Sequence, residues 1–275
     1  MSATPIVKWV GGKTKLLPEL KARVPTKYGR YFEPFAGGAA FFFCLEPAHA
    51  TLGDMNAALI ETYITVACHV EDVIERLDIL KKSHTALGDT LYYEMRKKWN
   101  GNAWSGCVRS RAAAFIYLNK TCFNGLWRVN KSGEMNVPVG AYKNPGIFDP
   151  EAMRAAASVL KRTELKTGDY KATTCEAQRG DFVYFDPPYD PINKTSNFTS
   201  YTKDKFGDEE QAALAAHATK LRDAGTHVML SNNDTPMIRK LYRGFTIDTV
   251  RCARPINSNA AKRGQVNEVL ITGAP

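Results

Sequence analysis

Four apolar residues, Phe182-Val183-Tyr184-Phe185, run without a polar break into Asp186-Pro187-Pro188-Tyr189. A strand with one wet face alternates polar and apolar residues, so this run predicts a strand buried on both faces. Two prolines then end the hydrogen-bonded ladder and fix φ, which holds the Asp186 side chain and the Pro187 carbonyl rigidly beside each other. A second run of the same kind, His227-Val228-Met229-Leu230, follows an Ala-rich stretch with helical rhythm over residues 211–221. Strands of this type need helices on both faces, and that requirement points to a twisted, mostly parallel sheet.

The N-terminal region starts the same pattern. Tyr31-Phe32-Glu33 reads as a strand end and Pro34-Phe35-Ala36-Gly37-Gly38 as a turn. Residues 39–45 read as a buried helix, and Ala50-Thr51-Leu52-Gly53-Asp54 as a second strand closing on an acid. This is the opening of a βαβ unit, with glycines where backbone can approach a ligand at the carboxyl end of a sheet. Asp54 is placed to accept hydrogen bonds from a ribose diol. An ordinary glycine turn, with the acid serving only as a helix cap, is the plain alternative.

Between these halves the pattern is helical from about residue 56 to 120, then rich in Asn, Gly and Lys as far as Pro145. Residues 91–145 hold nine basic residues against two acids, most of the chain's formal excess of +9. Aromatics are interleaved among them, although Phe115 and Tyr117 lie in an apolar helix and read as core. A surplus of this size favours a polyanion, because neutralising phosphates releases counterions. A second basic group, Arg251, Arg254, Lys262 and Arg263, reads as a loop over a phosphate backbone, or as ordinary surface. Residues 1–56 and 146–275 therefore read as one α/β domain, with residues 57–145 as a largely helical, basic insertion.

Other chemistries find little support. The six cysteines are scattered without metal-ligand spacing and the five histidines form no pair, so no metal is expected. No segment runs apolar for the ~18 residues of a membrane span and no leader is evident. A cytoplasmic protein, monomeric and without an obligate protein partner, is expected.

The Asp-Pro-Pro-Tyr turn carries the sharpest chemical implication. An aromatic amine has its lone pair delocalised into the ring. Two acceptors gripping its N–H bonds draw the nitrogen towards a tetrahedral shape, with the lone pair free to attack a methyl donor. Tyr189 offers a face on which a base can stack once it has left the helix. The same acceptor pair suits the N6 amine of adenine or the N4 amine of cytosine. A capped Pro-Pro turn on a non-catalytic DNA-binding regulator is the reading from another class.

These stretches resemble the Dam-type (D12 class) DNA adenine methyltransferases. The similarity begins at Val7-Lys8-Trp9-Val10-Gly11-Gly12-Lys13 and passes through Phe32 to Gly38. It continues through Tyr117-Leu118-Asn119-Lys120, Phe123-Asn124-Gly125-Leu126 and Asn136-Val137-Pro138 to Asp186-Pro187-Pro188-Tyr189. It ends with Asn197 to Tyr201, Ser231-Asn232-Asn233-Asp234 and Ile256 to Asn259. The resemblance implies a Rossmann-like S-adenosylmethionine-dependent methyltransferase fold, with a mainly helical DNA-recognition insert. It makes residues 1–56 and 146–275 the catalytic domain and residues 57–145 the target-recognition domain. It implies cofactor contacts at Trp9, Lys13, Phe35, Ala36, Gly37, Gly38, Asp54, Asp169 and Asp186. Catalysis falls to Asp186, Pro187, Pro188 and Tyr189. Lys8, Phe123, Asn124, Leu126, Arg128 and Pro138 meet duplex DNA, Phe123 by insertion and Arg128 as the reader of a guanine. Members commonly methylate the adenine of GATC. Trp127 stands beside Leu126 where a relative has a smaller residue.

Overall fold

The computed structural model describes residues 2–101, 104, 106–192, 206–253 and 265–275. The chain forms α1 (Leu17–Lys21), β1 (Tyr31–Glu33), α2 (Ala40–Leu45), β2 (Ala50–Asp54), α3 (Ala57–Leu87), α4 (Asp89–Asn100) and α5 (Val108–Thr121). It continues with α6 (Pro150–Leu160), β3 (Thr163–Thr167), α7 (Tyr170–Thr174), β4 (Phe182–Phe185), α8 (Asp208–Asp223) and β5 (His227–Asn233). The last elements are α9 (Pro236–Leu241), β6 (Thr246–Ala253) and β7 (Gln265–Gly273).

The strands form one sheet in the order β3-β2-β1-β4-β5-β7-β6. Strands β1 to β5 pair in parallel, and β7 runs antiparallel between β5 and β6. The expected methyltransferase-type α/β fold, mostly parallel, is the one observed. From β1 the chain crosses to β2 on one side, while β4 lies on the other. The carboxyl ends of β1 and β4 therefore flank the point where strand order reverses, where open α/β sheets bind ligands.

Burial on both faces of the sheet is visible residue by residue. Tyr31, Phe182, Tyr184 and Met229 join one core, with Phe41 of α2 and the inner faces of α3 and α5. Phe32, Val183, Phe185, Val228 and Leu230 join the other, under Leu214, Ala215 and Ala218 of α8. The first core continues into the helical insert as far as Trp127 and Met135. Phe115 and Tyr117 are fully buried there, as their apolar setting implied.

Helix α3 starts at the Asn56 cap, whose side chain accepts from Leu59 N, and bends at His69, which leaves helical geometry. After α5, the Asn- and Gly-rich stretch folds back on itself through short antiparallel contacts, Cys122 with Val139 and Val129 with Met135.

Two expectations need correction. Arg251 does not lie in a loop; it is an exposed residue of β6, paired in register with Asn267 of β7. Its companions Arg254, Lys262 and Arg263, and the motifs at 197–201 and 256–259, lie outside the described residues. The positive charge of residues 91–145 is also partly neutralised from within the insert. Arg111 pairs with Glu61 at 3.1 Å and Arg109 with Asp72 at 3.5 Å, both acids on α3.

Gly53 shows how tightly β2 is covered. A Cβ there would lie 2.0 Å from Thr173 Oγ1 and 2.9 Å from its Cβ, so α7 sits directly on bare backbone. Gly53→Ala should displace α7 and cost about 1–3 kcal/mol, the usual range for overpacking. A lowered urea midpoint with unchanged slope is the expected reading.

Candidate active site and nucleic-acid interface

Asp186 follows directly from β4, and its neighbour across the parallel ladder is Ser231, because Phe185 pairs with Leu230. Ser231 Oγ donates to Asp186 Oδ1 at 2.9 Å. Lys13 Nζ lies 2.6 Å from the same oxygen, donates to the Gly11 carbonyl at 2.7 Å, and sits 4.7 Å from the centre of the Tyr189 ring. Burial raises the Asp186 pKa above the usual carboxylate range, and Lys13 and Ser231 pull it back. The site is thus a partly buried carboxylate whose charged form is favoured by an ammonium and a hydroxyl against the cost of burial.

The rest of the turn is held by residues from β5 and α8. Gln211 Nε2 donates to the Pro188 carbonyl at 2.8 Å, and Asn232 Nδ2 donates to Gln211 Oε1 at 3.2 Å. Asn232 Oδ1 accepts from Asp190 N at 2.9 Å, and Thr235 Oγ1 donates to the Asp190 carboxylate at 2.5 Å. Tyr189 OH donates to Glu268 Oε2 on β7 at 3.2 Å. Among the described residues nothing donates to the Pro187 carbonyl, which leaves it as an acceptor. The Ser-Asn-Asn-Asp motif had no role from sequence alone. It turns out to be the support of the Asp-Pro-Pro-Tyr turn.

Beside this lies the glycine turn after β1. Ala36 N donates to the Gly53 carbonyl at 2.9 Å and Gly37 N to Asp54 Oδ2 at 2.9 Å, while Asn56 N takes Asp54 Oδ1 at 2.8 Å. Tyr63 OH donates to the Gly37 carbonyl at 2.6 Å. Gly37 has φ +46, and a Cβ there would lie 2.6 Å from Trp9 Cδ1. Only glycine suits that position.

Phe35 stacks on Tyr170 with ring centres 5.9 Å apart. Burial raises the pKa of Asp54, against the pull of its two backbone donors. Asp169 caps α7, accepting from Ala172 N at 2.8 Å, and the preceding Gly168 N donates to the Asp54 carbonyl at 3.1 Å. Glu33, fully buried, accepts from Tyr31 OH at 2.6 Å and Phe42 N at 3.1 Å; burial pushes its pKa up to about 8.

The third assembly joins the N-terminal segment to the loop after α5. Asn119, fully buried, accepts from Lys8 N at 2.7 Å and donates to the Lys8 carbonyl at 2.8 Å and the Gly125 carbonyl at 3.3 Å. Phe123 is 47% exposed on a tight turn in which Asn124 and Gly125 both have positive φ. Its backbone N donates to the Pro138 carbonyl at 2.9 Å. Leu126 packs against the core, while Arg128 is exposed, its Nε donating to Asn136 Oδ1 at 2.9 Å.

Trp127 turns the other way. It is buried, with its ring centre 4.1 Å from that of Phe115 and 5.3 Å from that of Trp99. Lys8 Nζ stands over the Tyr142 ring, and the half-buried Lys120 has its pKa lowered to about 8 by burial, with Lys8 adding to the effect.

With this geometry in view, the comparisons are decisive. The sequence profile of the D12 class N6 adenine-specific DNA methyltransferases matches residues 9–254. The chain belongs to that family. It is 41% identical over 286 residues to the type II methyltransferase M.MjaIII of Methanocaldococcus jannaschii, covering 98% of this chain and 99% of the relative. It is 38% identical over 271 residues to the type II methyltransferase M1.LlaDCHI of Lactococcus lactis subsp. cremoris, covering 98% and 94%. It is 34% identical over 273 residues to the DNA adenine methylase of Vibrio cholerae, covering 98% and 95%. The D12-class chain is therefore an enzyme, which removes the reading of a fold kept only for binding.

Asn119 is the tie that sequence left without a role. Asn119→Ala should orphan the Lys8 backbone groups and destabilise the protein by about 1–3 kcal/mol. Urea denaturation checks this. A midpoint equal to that of the unaltered chain would show that the tie contributes nothing.

Proposed function

We propose that this D12-class enzyme transfers a methyl group from S-adenosylmethionine to the N6 amine of an adenine flipped out of duplex DNA, with GATC as its target. The observation that carries the reading is the pair of acceptors, the Asp186 carboxylate and the Pro187 carbonyl, which no described residue engages as a donor, beside an aromatic face at the sheet's reversal point. Adenine offers two N–H bonds to two acceptors and a flat ring to Tyr189.

The residues around the glycine turn fit S-adenosylmethionine. The Trp9 ring fills the space a Gly37 Cβ would take, so an aromatic face and the polar backbone of the turn lie side by side. The Asp54 carboxylate holds two backbone donors and retains lone pairs for a diol. Phe35, Ala36, Gly37, Gly38, Trp9 and Lys13 would hold the methionine end, with Asp54 and Asp169 towards the nucleoside. When bound, the cofactor supplies a methyl group made electrophilic by a positive sulfur.

Everything else is done by the chain. Asp186 and Pro187 grip the amine and orient its lone pair, Tyr189 stacks on the base, and Pro188 keeps the turn stiff. In the free protein the Lys13 ammonium uses the Asp186 oxygen and lies over the Tyr189 ring, so an entering adenine displaces it from both. Lys8, Asn124, Leu126 and Pro138 line the duplex, Phe123 inserts between bases, and the Arg128 fork reads O6 and N7 of guanine. The burial of Trp127 supports the GATC reading, because the bulky ring leaves the reading face to Leu126 and Arg128.

No helix among the described residues is long and apolar enough to cross a membrane. A DNA substrate puts the chain in the cytoplasm, acting as a monomer with no obligate protein partner.

Asp186→Ala should lower turnover about a hundredfold or more while duplex binding stays measurable, since it removes an acceptor used at the transition state. Mass spectrometry of nucleosides from treated DNA reads both points. N4-methylcytosine in place of N6-methyladenine from the unaltered chain, or near-normal turnover by the variant, would overturn the mechanism.

Arg128→Ala should cost ~1–3 kcal/mol of discrimination at one guanine. Methylation of duplexes differing only at that base measures it, and an unchanged preference would remove Arg128 from the reading set.

A further inference from the structure

Ser231 is fully buried and stands between two partners. Its Oγ is 2.9 Å from Asp186 Oδ1 and 2.9 Å from the hydroxyl of Tyr184, which is itself fully buried. A serine hydroxyl has one proton, and an ionised carboxylate can only accept. The Ser231 proton is therefore committed to Asp186, and Tyr184 must donate to Ser231. The line has one direction: Tyr184 to Ser231 to Asp186.

The fold makes this line short. Tyr184 and Asp186 are two residues apart along β4 and its extension, so they project to the same side. Ser231 follows Leu230, the register partner of Phe185, on the adjacent strand.

The other support of Asp186 is Lys13, whose ammonium lies 2.6 Å from Oδ1 and 4.7 Å from the centre of the Tyr189 ring, and which the entering adenine displaces on the reading proposed above. Once the amine has entered, Ser231 is the remaining described donor to that carboxylate. This argument rests on the reading of Asp186 as an acceptor for the amine.

We propose that Ser231, held by Tyr184, is a positioning residue for methyl transfer: it keeps the Asp186 carboxylate turned towards the target amine when Lys13 is displaced. The charged and titratable groups facing Asp186 are Lys13 from the N-terminal segment, Glu33 from β1, Tyr184 from β4, Tyr189 from the turn, and Glu268 of β7 beyond Tyr189. None of these is altered in a Ser231→Ala chain. Removing one donor from a carboxylate raises its pKa, so the acid limb of the kcat profile moves to higher pH.

The experiment uses the full chain, S-adenosylmethionine and a duplex that the unaltered chain methylates, with three variants: Ser231→Ala, Tyr184→Phe/Ser231→Ala and Asp186→Ala. Ser231→Ala alone leaves the Tyr184 hydroxyl orphaned, so it loses stability for a reason unrelated to catalysis. The double variant removes both polar partners and should recover that stability. In both, kcat should fall at least tenfold, the Kd values for cofactor and duplex should stay within twofold, and the acid limb should shift upward.

Turnover by the double variant within twofold of the unaltered chain would overturn the proposal, as would an unshifted acid limb or a loss confined to the Kd values. Asp186→Ala separates the two levels. If it is inactive while the double variant is normal, the positioning role alone fails. If it retains turnover, the acceptor reading fails with it.

Discussion

Asp186 is a carboxylate that folding removes from water at the end of a strand buried on both faces, and the surrounding structure answers that cost. An isolated buried charge is expensive enough that the group would sooner take up a proton than stay ionised. Lys13 supplies an opposite charge at 2.6 Å and Ser231 a hydroxyl at 2.9 Å, which together favour the ionised form. A protonated Asp186 would lose acceptor capacity at one oxygen, and the grip on an amine would weaken. Lys13 and Ser231 therefore favour the form that the proposed reaction needs, against the upward pull of burial.

The requirement ties distant parts of the chain together through the N-terminal segment. Lys13 belongs to a stretch whose Trp9 packs against Gly37 and whose Lys8 backbone is clasped by Asn119. Asn119 in turn holds the Gly125 carbonyl in the exposed turn after α5. Fewer than ten residues thus touch the Asp-Pro-Pro-Tyr turn, the glycine turn and the loop that carries Phe123 and Arg128. These three are not separate modules on flexible tethers. They share one support, and the apolar core running from Tyr184 through α3 and α5 to Trp127 stiffens it.

Much of this was legible because it is local. The buried runs at Phe182–Phe185 and His227–Leu230, the glycine turn and the Asp-Pro-Pro-Tyr turn each declare themselves within a few residues. What was not legible is what depends on pairing across the chain. Nothing near Ser231 announces that Asp186, 45 residues away, is its acceptor, nor near Asn119 that Lys8, 111 residues away, is its partner. Strand β6 escaped because its stretch, Thr246-Ile247-Asp248-Thr249-Val250-Arg251, is broken by charges suited to a sheet edge. Arg251 looked like loop for that reason. Helix α6 was not read from the sequence either, although it starts at Asp149-Pro150, a capping acid before a proline at the first helical position.

The exposed turn at Phe123 is held in a backbone conformation that its neighbours make possible. Asn124 is a non-glycine residue at φ 54, a conformation that L side chains seldom adopt, and Gly125 follows at φ 66. A Cβ at Gly125 would lie 2.4 Å from Lys8 Cβ, so the turn can close onto the N-terminal segment only because that side chain is missing. The result is an aromatic ring left about half exposed to water. Backbone strain and unburied apolar surface are both unfavourable in the free protein, and the Asn119 clasp and the Pro138 contact offset them. On the reading proposed for this loop, insertion between bases buries the ring without first having to order the backbone that carries it. Less of the gross stacking energy is then lost to conformational entropy. A looser loop would hold Phe123 at lower cost in the free protein and use it less well on DNA.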